Sequence, residues 1–520
     1  MKRKILAGLL AAMALPLALV GCGGGGNATG TAADTTKPQA GGDLVMARSD
    51  EPTSLVPWVP TDNASIWTIE EIYDTLLVPA QDGKSVEPSL ATSWKQSADK
   101  LSWTFTLRKG VTFSNGQPLT SADVKFSLAQ ARKKDNPFAF IDAVIASVTT
   151  PDDQTVVIKT KQPWSPLPAD MALYANSIVP KDFGGMTEDA FAKKPIGSGP
   201  FAFDHWTKGQ ELKLVKNPKY WQPGKPYLDS VTFTVVTDSN TRATQLQSGQ
   251  AQINEFPAYS SIQGLQGRSG VRVGKFPSSR VDYLVMNNAK KPFDDGNVRR
   301  AIAQSVDRGS LIKTVLFGTG EAAGSYLTPT LWSHDDSIKP LPYDLNAAKA
   351  DLAKSSVPNG FSTTMTINSG DADALTAAQL VQNALGKIGI KVQLKTLDPS
   401  AVSAAKHSGD FELGFTYCTT DIIDPDEIIR FGGLYSGGSQ ALYSQYKNPK
   451  LEKLADRAAM ITDQSKRTAI YHQIQQTVNA DQPIVPLYYS PALYSYSDAV
   501  HGFKTLPPGN YNLVDVWLSK

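Results

Sequence analysis

The first 20 residues determine the compartment in which the rest of this chain has to fold. Lys2, Arg3 and Lys4 form a positively charged start, and residues 5–20 form an apolar run without a charged side chain. The run is too short for a membrane-spanning helix and leads directly into glycines, as in a secretory signal peptide. We therefore predict that the protein is exported and folds outside the cytoplasm.

The segment 19–22, Leu-Val-Gly-Cys, resembles the bacterial lipobox, in which a small residue admits the signal peptidase and the cysteine thiol receives a diacylglycerol. An ordinary cleaved signal followed by a chance cysteine is the alternative. Residues 23–42 are rich in glycine and small polar residues that bury no apolar surface, which predicts a flexible linker. Residues 1–22 are thus expected to be a lipoprotein signal peptide, with a lipid on Cys22 that anchors the mature chain to a membrane.

Cys418 is the only cysteine after Cys22, so the mature chain has no internal disulfide and has to be stabilised by its hydrophobic core. Its length suffices for two or three domain-sized units, and 41% hydrophobic with 19% charged residues is typical of globular domains. A formal net charge of +2 gives no basic excess for nucleic acid. We expect an exported globular protein that does not bind nucleic acid.

Strands and helices are both predicted, without strict alternation. Residues 101–108 place Trp103, Phe105 and Leu107 on one face, which is the period of a half-buried strand. Asn63 precedes an apolar stripe with helical spacing and is expected to cap that helix. The pattern indicates an α/β chain with mixed sheets, in two lobes. Further strands are predicted at 155–161, 211–216, 231–237, 390–394 and 484–489, and further helices from 120 onwards and at 298–317, 374–388, 451–461 and 466–478.

The sequence has no motif for nucleophilic, zinc, redox or phosphate chemistry, and its five histidines are far apart. Acidic pairs such as Asp294-Asp295 lie in turn-forming sequence, where carboxylates are usually solvated. We therefore predict no catalytic residue, no metal ion and no cofactor. The alternative is an extracellular hydrolase with two carboxylates that are paired only in space.

A series of motifs resembles one family. Residues 87–128 contain, in order, PSLATSW, TFTLRKGVTFSNGQPLT and DVKFS. This region closely resembles the signature of the family 5 extracellular solute-binding proteins, the peptide- and nickel-binding class of ABC importers. Further segments resemble the family in the same order along the mature chain: PIGSGPF at 195–201, NPKYW at 217–221, LQSG at 246–249, and PFDD, VRRAI and VDR within 292–308.

The resemblance implies a large class II periplasmic-binding-protein-like clamshell with two lobes and an extra subdomain in lobe one. The chain is expected to cross between the lobes near 281–288 and near 489–496. The implied boundaries are 43–283 for lobe one with its subdomain at about 86–190, 284–490 for lobe two, and 491–520 for the return to lobe one.

The resemblance also implies a function. A monomer would capture a solute in the cleft between the lobes and deliver it to ABC permease subunits in the membrane. A peptide, either an oligopeptide or a dipeptide, is the expected cargo, and a metal chelate, an opine or an oligosaccharide is the alternative. The protein would act in the periplasmic space or at the outer face of the cell membrane, and not as an enzyme.

Asp421 is the first ligand-binding residue that the resemblance implies. In peptide-binding members, an aspartate three residues before an acid-proline pair receives the α-amino group of the ligand, and Asp421 has that spacing to Asp424-Pro425. Its alternative role is to cap the next helix or to be solvated in a loop. Tyr417 and Thr419 are expected to present backbone groups along the cleft, and Cys418 to be a small buried residue.

Two further candidates lie at the first predicted helix. Trp67 occupies a position where relatives approach the ligand, with core packing as its alternative, and Asn63 would orient a polar group of the ligand or only cap the helix. Residues 368–373 contain no arginine, although dipeptide-specific relatives have one there that binds the ligand carboxylate. This difference favours longer peptides, or a cationic or non-peptide solute attracted to Asp371 and Asp373.

Overall fold

The structure, a computed structural model, describes residues 37–436 and 443–519. The predicted signal peptide, Cys22 and most of the predicted linker lie outside these residues. At the end of the linker prediction, Gly41 donates a hydrogen bond to the Tyr227 carbonyl (2.8 Å) and Gly42 donates one to the Asp229 carboxylate (3.1 Å), so this end is attached to the fold. In the described part of the chain, no helix has the length and apolar character needed to cross a membrane.

The elements up to Phe276 alternate irregularly between strands and helices. The strands are β1 (Asp43–Arg48), β2 (Leu77–Pro79), β3 (Val86–Pro88), β4 (Ala91–Gln96), β5 (Ser102–Leu107), β6 (Ile145–Asp152), β7 (Thr155–Thr160), β8 (Phe201–Thr207), β9 (Glu211–Lys216), β10 (Ser230–Val235), β11 (Ile253–Glu255) and β12 (Val271–Phe276). The helices are α1 (Asn63–Ile72), α2 (Ser121–Ala131), α3 (Leu167–Asp170), α4 (Glu188–Lys193), α5 (Ser239–Ser248) and α6 (Ile262–Gln266).

The later part of the chain contains more helix. Its strands are β13 (Val281–Met286), β14 (Glu321–Ala322), β15 (Phe361–Asn368), β16 (Ile390–Leu397), β17 (Leu413–Cys418), β18 (Ile484–Tyr489), β19 (Ala492–Ser497), β20 (Val500–His501) and β21 (Trp517–Leu518). Its helices are α7 (Gly296–Ser305), α8 (Arg308–Val315), α9 (Leu345–Ala353), α10 (Ala372–Gly386), α11 (Pro399–Ser408), α12 (Asp426–Gly433), α13 (Pro449–Ala459) and α14 (Gln464–Asp481).

Two mixed sheets define the two lobes. Lobe one is built on the seven-stranded sheet β12-β19-β11-β1-β10-β9-β8, in which β1 is parallel to β10 and β11. Lobe two is built on the six-stranded sheet β14-β18-β13-β17-β15-β16, in which β15 is parallel to both neighbours. A separate antiparallel sheet, β4-β5-β7-β6, has a hydrophobic core of its own. The expected α/β clamshell with mixed sheets is confirmed.

The chain passes between the two large sheets twice. From β12 it runs through residues 277–280 into β13, and from β18 it returns through Ser490 and Pro491 into β19. The first crossing lies just before the predicted stretch, and the second lies within it. The Oγ of Ser279 in the first crossing accepts a hydrogen bond from the Thr420 N–H at 2.9 Å, which connects this crossing to the residues after β17.

Local sequence signals account for most of these elements. Aspartate caps explain two differences between the predicted and the observed helices. The alternation of Trp103, Phe105 and Leu107 toward the core is confirmed in β5. Asp62 and not Asn63 caps α1, because its carboxylate accepts the Ser65 N–H at 2.8 Å. The prediction of one helix at 298–317 is wrong, because Asp307 accepts the Ser310 N–H at 3.0 Å and starts α8 as a separate helix.

The PIGSGPF segment packs against the end of α1. Gly199 donates its N–H to the Ile72 carbonyl at 2.9 Å, and a Cβ added to Gly199 would lie 2.6 Å from the carbonyl carbon of Ile72. We expect Gly199→Ala to lower the free energy of unfolding by about 1–3 kcal/mol, since α1 would have to move. Denaturant unfolding measures this change. Gly264→Ala is the matched control, because a Cβ there meets no described atom within 4 Å, and equal losses in both variants would contradict the explanation.

Candidate ligand-binding site

A cavity of about 240 Å³ lies between the lobes, next to the chain crossings, and we call it the interlobe cavity. Three of the predicted ligand residues, Asn63, Tyr417 and Thr419, line it together, although Asn63 belongs to lobe one and the other two to lobe two. Its remaining lining includes Phe256, Tyr259 and Gly509 from lobe one, Asp373 from lobe two, and Ser278 and Arg280 from the first crossing.

A second cavity, of about 330 Å³, extends into lobe two, and we call it the lobe-two cavity. Tyr259, Arg280, Asp373 and Tyr417 line both cavities, so the two adjoin along these residues. The far side of the lobe-two cavity is formed by the end of β15, the start of α10 and Lys406 of α11. A ligand longer than the interlobe cavity therefore has room to continue into lobe two.

The wall between the cavities is held by charged and aromatic contacts. The Arg280 guanidinium lies 3.9 Å from the centre of the Tyr417 ring and donates to the Asp282 carboxylate at 2.7 Å. Ser490 of the second crossing donates to the same carboxylate at 2.8 Å. Asp282 and Tyr417 are also partners in the ladder between β13 and β17. Because Tyr417 is 50% exposed, its ring as well as its backbone is available to a ligand.

Asp421 lies three residues after the end of β17 and is half-buried. Burial raises the pKa of its carboxyl to about 7. Among the described residues, none donates a hydrogen bond to this carboxyl, so nothing offsets the lost hydration of its ionised form. Asp421 does not cap α12 either, because Pro425 is the cap residue and the Asp424 carboxylate accepts the Asp426 N–H at 3.0 Å.

Two further carboxyl groups lie close to Asp421, and the three together are called the acidic group. Glu427 of α12 accepts the Ile422 N–H at 2.9 Å, and burial followed by the charge of Asp421 raises its pKa well above the usual range. Glu70 of α1 belongs to lobe one; burial is the main cause that raises its pKa to about 8, and the charge of Asp421 adds to it. A ligand cation at this point would be attracted by both lobes.

The loop that carries Asp421 is anchored to the core of lobe two. Arg467 of α14 donates to both carboxylate oxygens of Asp424, at 2.6 and 2.7 Å, and also to the Tyr471 hydroxyl at 2.7 Å. The Arg467 and Asp424 side chains are both nearly buried, with 6% and 9% exposure. The acid-proline pair after Asp421 therefore contributes to the site by holding the loop in place.

Trp67 lies behind the interlobe cavity. It is 2% exposed, and its ring centre lies 5.5 Å from that of Phe256 and 5.7 Å from that of Tyr511. Phe256 lines the cavity, and so does Gly509, on which a Cβ would lie 3.5 Å from the Trp67 ring. The position of Trp67 thus allows it to support the cavity wall.

Several residues of the site were not identified from the sequence. Glu427 belongs to the acidic run 424–427, which follows Asp421 closely in the sequence. This run could have indicated Glu427 as a further candidate. Glu70 belongs to the other lobe, and only the fold brings it near Asp421. Arg280 and Lys406 have no sequence context that distinguishes them from surface cations.

Comparisons with known proteins find relatives along most of the chain. Residues 85–439 match the family model described as bacterial extracellular solute-binding proteins, family 5 middle. The chain is 31% identical to the oligopeptide-binding protein AppA of Bacillus subtilis, over 98% of this chain and 97% of that protein. It is also 31% identical to the probable D,D-dipeptide-binding periplasmic protein DdpA of Escherichia coli, over 88% of this chain and 91% of that protein.

A solved structure shows the same fold. It is the periplasmic binding protein DppA of Helicobacter pylori in complex with the peptide STSA, with a TM-score of 0.83 and 30% identity, covering 93% of this chain and 99% of that one. Not every relative is named for peptides. The heme-binding protein A of Haemophilus influenzae is 26% identical over 95% of this chain and 96% of that protein.

Proposed function

Because this chain belongs to the family 5 bacterial extracellular solute-binding proteins, we propose that it captures a peptide with a free amino terminus and delivers it to an ABC transporter permease. The observation that carries the peptide proposal is Asp421, a half-buried carboxyl with no donor from the described residues, near Glu70 of the opposite lobe. An ammonium group bound there would form charge-assisted hydrogen bonds in place of the lost hydration. The relatives named for oligopeptides and D,D-dipeptides support the same cargo.

Ligand binding and lobe closure are linked in this proposal. In this structure, Asp421 of lobe two lies near Glu70 of lobe one and near Glu427 of its own lobe, and negative charge on these groups opposes the close approach of the two lobes. A ligand cation removes this repulsion and therefore favours the closed state. The lobes also touch directly, since Ser165 donates from its N–H and Oγ to the Ala459 carbonyl at 2.8 and 2.9 Å. The permease would then receive the closed, loaded form.

The test is native mass spectrometry of residues 23–520, purified gently from cells. A series of bound masses that match short peptides, recovered intact, is expected from the wild-type chain. The Asp421→Asn variant prepared in the same way should be largely free of them. A single non-peptide mass would overturn the peptide cargo and direct attention to Asp371 and Asp373, and a cleaved product would favour the hydrolase alternative.

We also propose that the mature protein is anchored to the membrane by a lipid on Cys22, as the N-terminal sequence predicts. Without the thiol there is no acceptor for the diacylglycerol, so Cys22→Ser should abolish lipid incorporation completely. Metabolic labelling with radioactive palmitate measures this. Cys418→Ser is the matched control and should be labelled like the wild type, and labelling of Cys22→Ser would contradict the proposal.

A further inference from the structure

Lobe one contacts lobe two at a point away from the two cavities. Both the N–H and the Oγ of Ser165 donate to the carbonyl of Ala459, at 2.8 and 2.9 Å. Ser165 lies between β7 and α3, and Ala459 is the last residue of α13, so this carbonyl is one that the helix leaves without an internal partner. Among the described residues that line the interlobe cavity and the lobe-two cavity, neither of these two occurs.

Trp164, next to Ser165, forms a second contact with lobe two. The guanidinium carbon of Arg430 in α12 lies 5.6 Å from the centre of the Trp164 ring, within the range of a cation–π contact. The ring is fixed in lobe one, because its Nε1 donates to the Asp170 carboxylate at 2.7 Å. Arg430 is fixed in lobe two by its ion pair with Asp426 at 2.8 Å. Each partner is thus held by its own lobe, and the contact orders no further side chain when the lobes meet.

Apolar burial adds to these two contacts. Ile422 and Ile423 follow β17 of lobe two, yet they belong to the hydrophobic cluster of lobe one, which includes Ile66 and Tyr174. The two isoleucines are 2% and 6% exposed. Movement of lobe two away from lobe one would return their side chains to water, which is unfavourable whatever the ligand.

We propose that Trp164, Ser165 and the Ala459 carbonyl, together with Ile422 and Ile423, form a latch that holds the two lobes together in the absence of ligand. The acidic group opposes the approach of the lobes, and the latch opposes their separation. The balance between them determines which fraction of the empty protein has the arrangement of this structure. Because these latch contacts do not involve the ligand, the latch changes the affinity for every ligand by the same factor. This inference rests on the capture of a solute between the lobes in the proposed function, and not on the identity of the cargo.

The test places a charge at the latch and measures the distance between the lobes without ligand. In Ser165→Asp, the Oγ donor is lost and a carboxylate faces the negative end of α13 at Ala459. Spin labels at Lys95→Cys and Lys453→Cys, two exposed positions on β4 and α13, report the distance by pulsed electron paramagnetic resonance in a Cys418→Ser background. The mature chain, residues 23–520, is unfolded and refolded beforehand to remove captured solute.

The ligand-free wild type should show a population at the distance of this structure. Ser165→Ala removes only the Oγ donor and should lower the ratio of this population to the open one by about twofold to tenfold. Ser165→Asp should lower the ratio further, and Ser165→Ala decides the test if Ser165→Asp does not refold. Ser147→Asp, at an exposed serine of β6 in the same lobe, is the matched control and should keep the wild-type distribution.

Calorimetry with trialanine and tetra-alanine provides the second measurement. Ser165→Ala should weaken the binding of both peptides by one common factor of at most about tenfold, and Ser165→Asp by a larger common factor. Ser147→Asp should bind both peptides like the wild type. A common factor is the result that distinguishes a latch from a residue that contacts the ligand.

The outcomes separate the latch from the peptide cargo. A ligand-free wild type without a population at the distance of this structure would overturn the latch, and so would unchanged populations in the Ser165 variants. The same change in Ser147→Asp would indicate a general effect of charge and also overturn it. Unequal factors for the two peptides would assign Ser165 a ligand contact in place of a latch. If neither peptide binds to the wild type, the peptide cargo fails, and the label distances alone decide on the latch.

Discussion

Asp421→Asn is expected to weaken the binding of a free-amine peptide by about 2–5 kcal/mol, because a buried ammonium would lose its carboxylate partner. This corresponds to roughly 30-fold to several thousand-fold in Kd. Calorimetry at pH 8 with an alanine peptide measures the change. The same peptide acetylated at its amino end should bind weakly to both proteins, with little difference between them.

A matched variant distinguishes the loss of the Asp421 carboxylate from a general change in the charge of lobe two. Asp410→Asn removes a carboxylate from the same lobe, but this side chain is 90% exposed and its partner is the Lys290 ammonium at 3.4 Å. It should bind the free-amine peptide like the wild type. Equal affinities of Asp421→Asn and Asp410→Asn would remove Asp421 from the site.

Asp421 makes the stability of the ligand-free protein depend on pH. The sign of this dependence is opposite to that of an aspartate whose pKa is lowered by folding. The pKa of Asp421 is raised to about 7 in the folded chain, against about 3.9 for an aspartate in an unfolded chain. Between these values the folded state retains a proton that the unfolded state has released, so the free energy of unfolding falls as the pH rises from about 4 to about 7. Asparagine does not titrate, and Asp421→Asn should therefore be at least as stable as the wild type at pH 8. A clear loss of stability there would mean that the carboxylate has a partner.

Ligand affinity depends on pH in the other direction. An ammonium group is bound by the ionised carboxylate, so below a pH of about 7 a proton has to leave Asp421 before the ligand binds. The affinity for a free-amine peptide should therefore decrease as the pH is lowered below 7. The residue that we propose for ligand binding is thus also expected to destabilise the empty protein, which is a common relation between function and stability at a binding site.

The sequence predicted much of the local structure and proposed some residues of the candidate site. Alternation in 101–108 was sufficient for β5, and the spacing of Asp421 to Asp424-Pro425 made Asp421 a candidate ligand residue without any coordinates. Glu70 could not be found in this way, because its proximity to Asp421 results from the fold and corresponds to no spacing in the sequence. Lys406 could not be identified from the sequence either, since a lysine on a helix is usually solvated. Only its burial beside a cavity distinguishes it. The division of 298–317 into α7 and α8 depends on the side-chain cap of Asp307, which the apolar spacing of this segment does not indicate.

Arg467→Met is expected to lower the free energy of unfolding by about 3–5 kcal/mol. The substitution leaves the Asp424 carboxylate nearly buried without the two hydrogen bonds, at 2.6 and 2.7 Å, that now hold it. Chemical denaturation measures the loss. Arg457→Met, which removes an exposed arginine of the neighbouring helix α13, is the matched control and should change the stability by less than about 0.5 kcal/mol.

The double variant Asp424→Asn with Arg467→Met separates the cost of an orphaned charge from the contribution of the pair. Removing both charges should recover most of the lost stability, because replacing a whole buried ion pair is often nearly neutral. Ligand binding should not recover in the same way, since the loop that carries Asp421 would still lack its anchor on α14. Full recovery of both properties would show that Arg467 acts only on folding. Recovery of stability without affinity would show that the pair also positions Asp421.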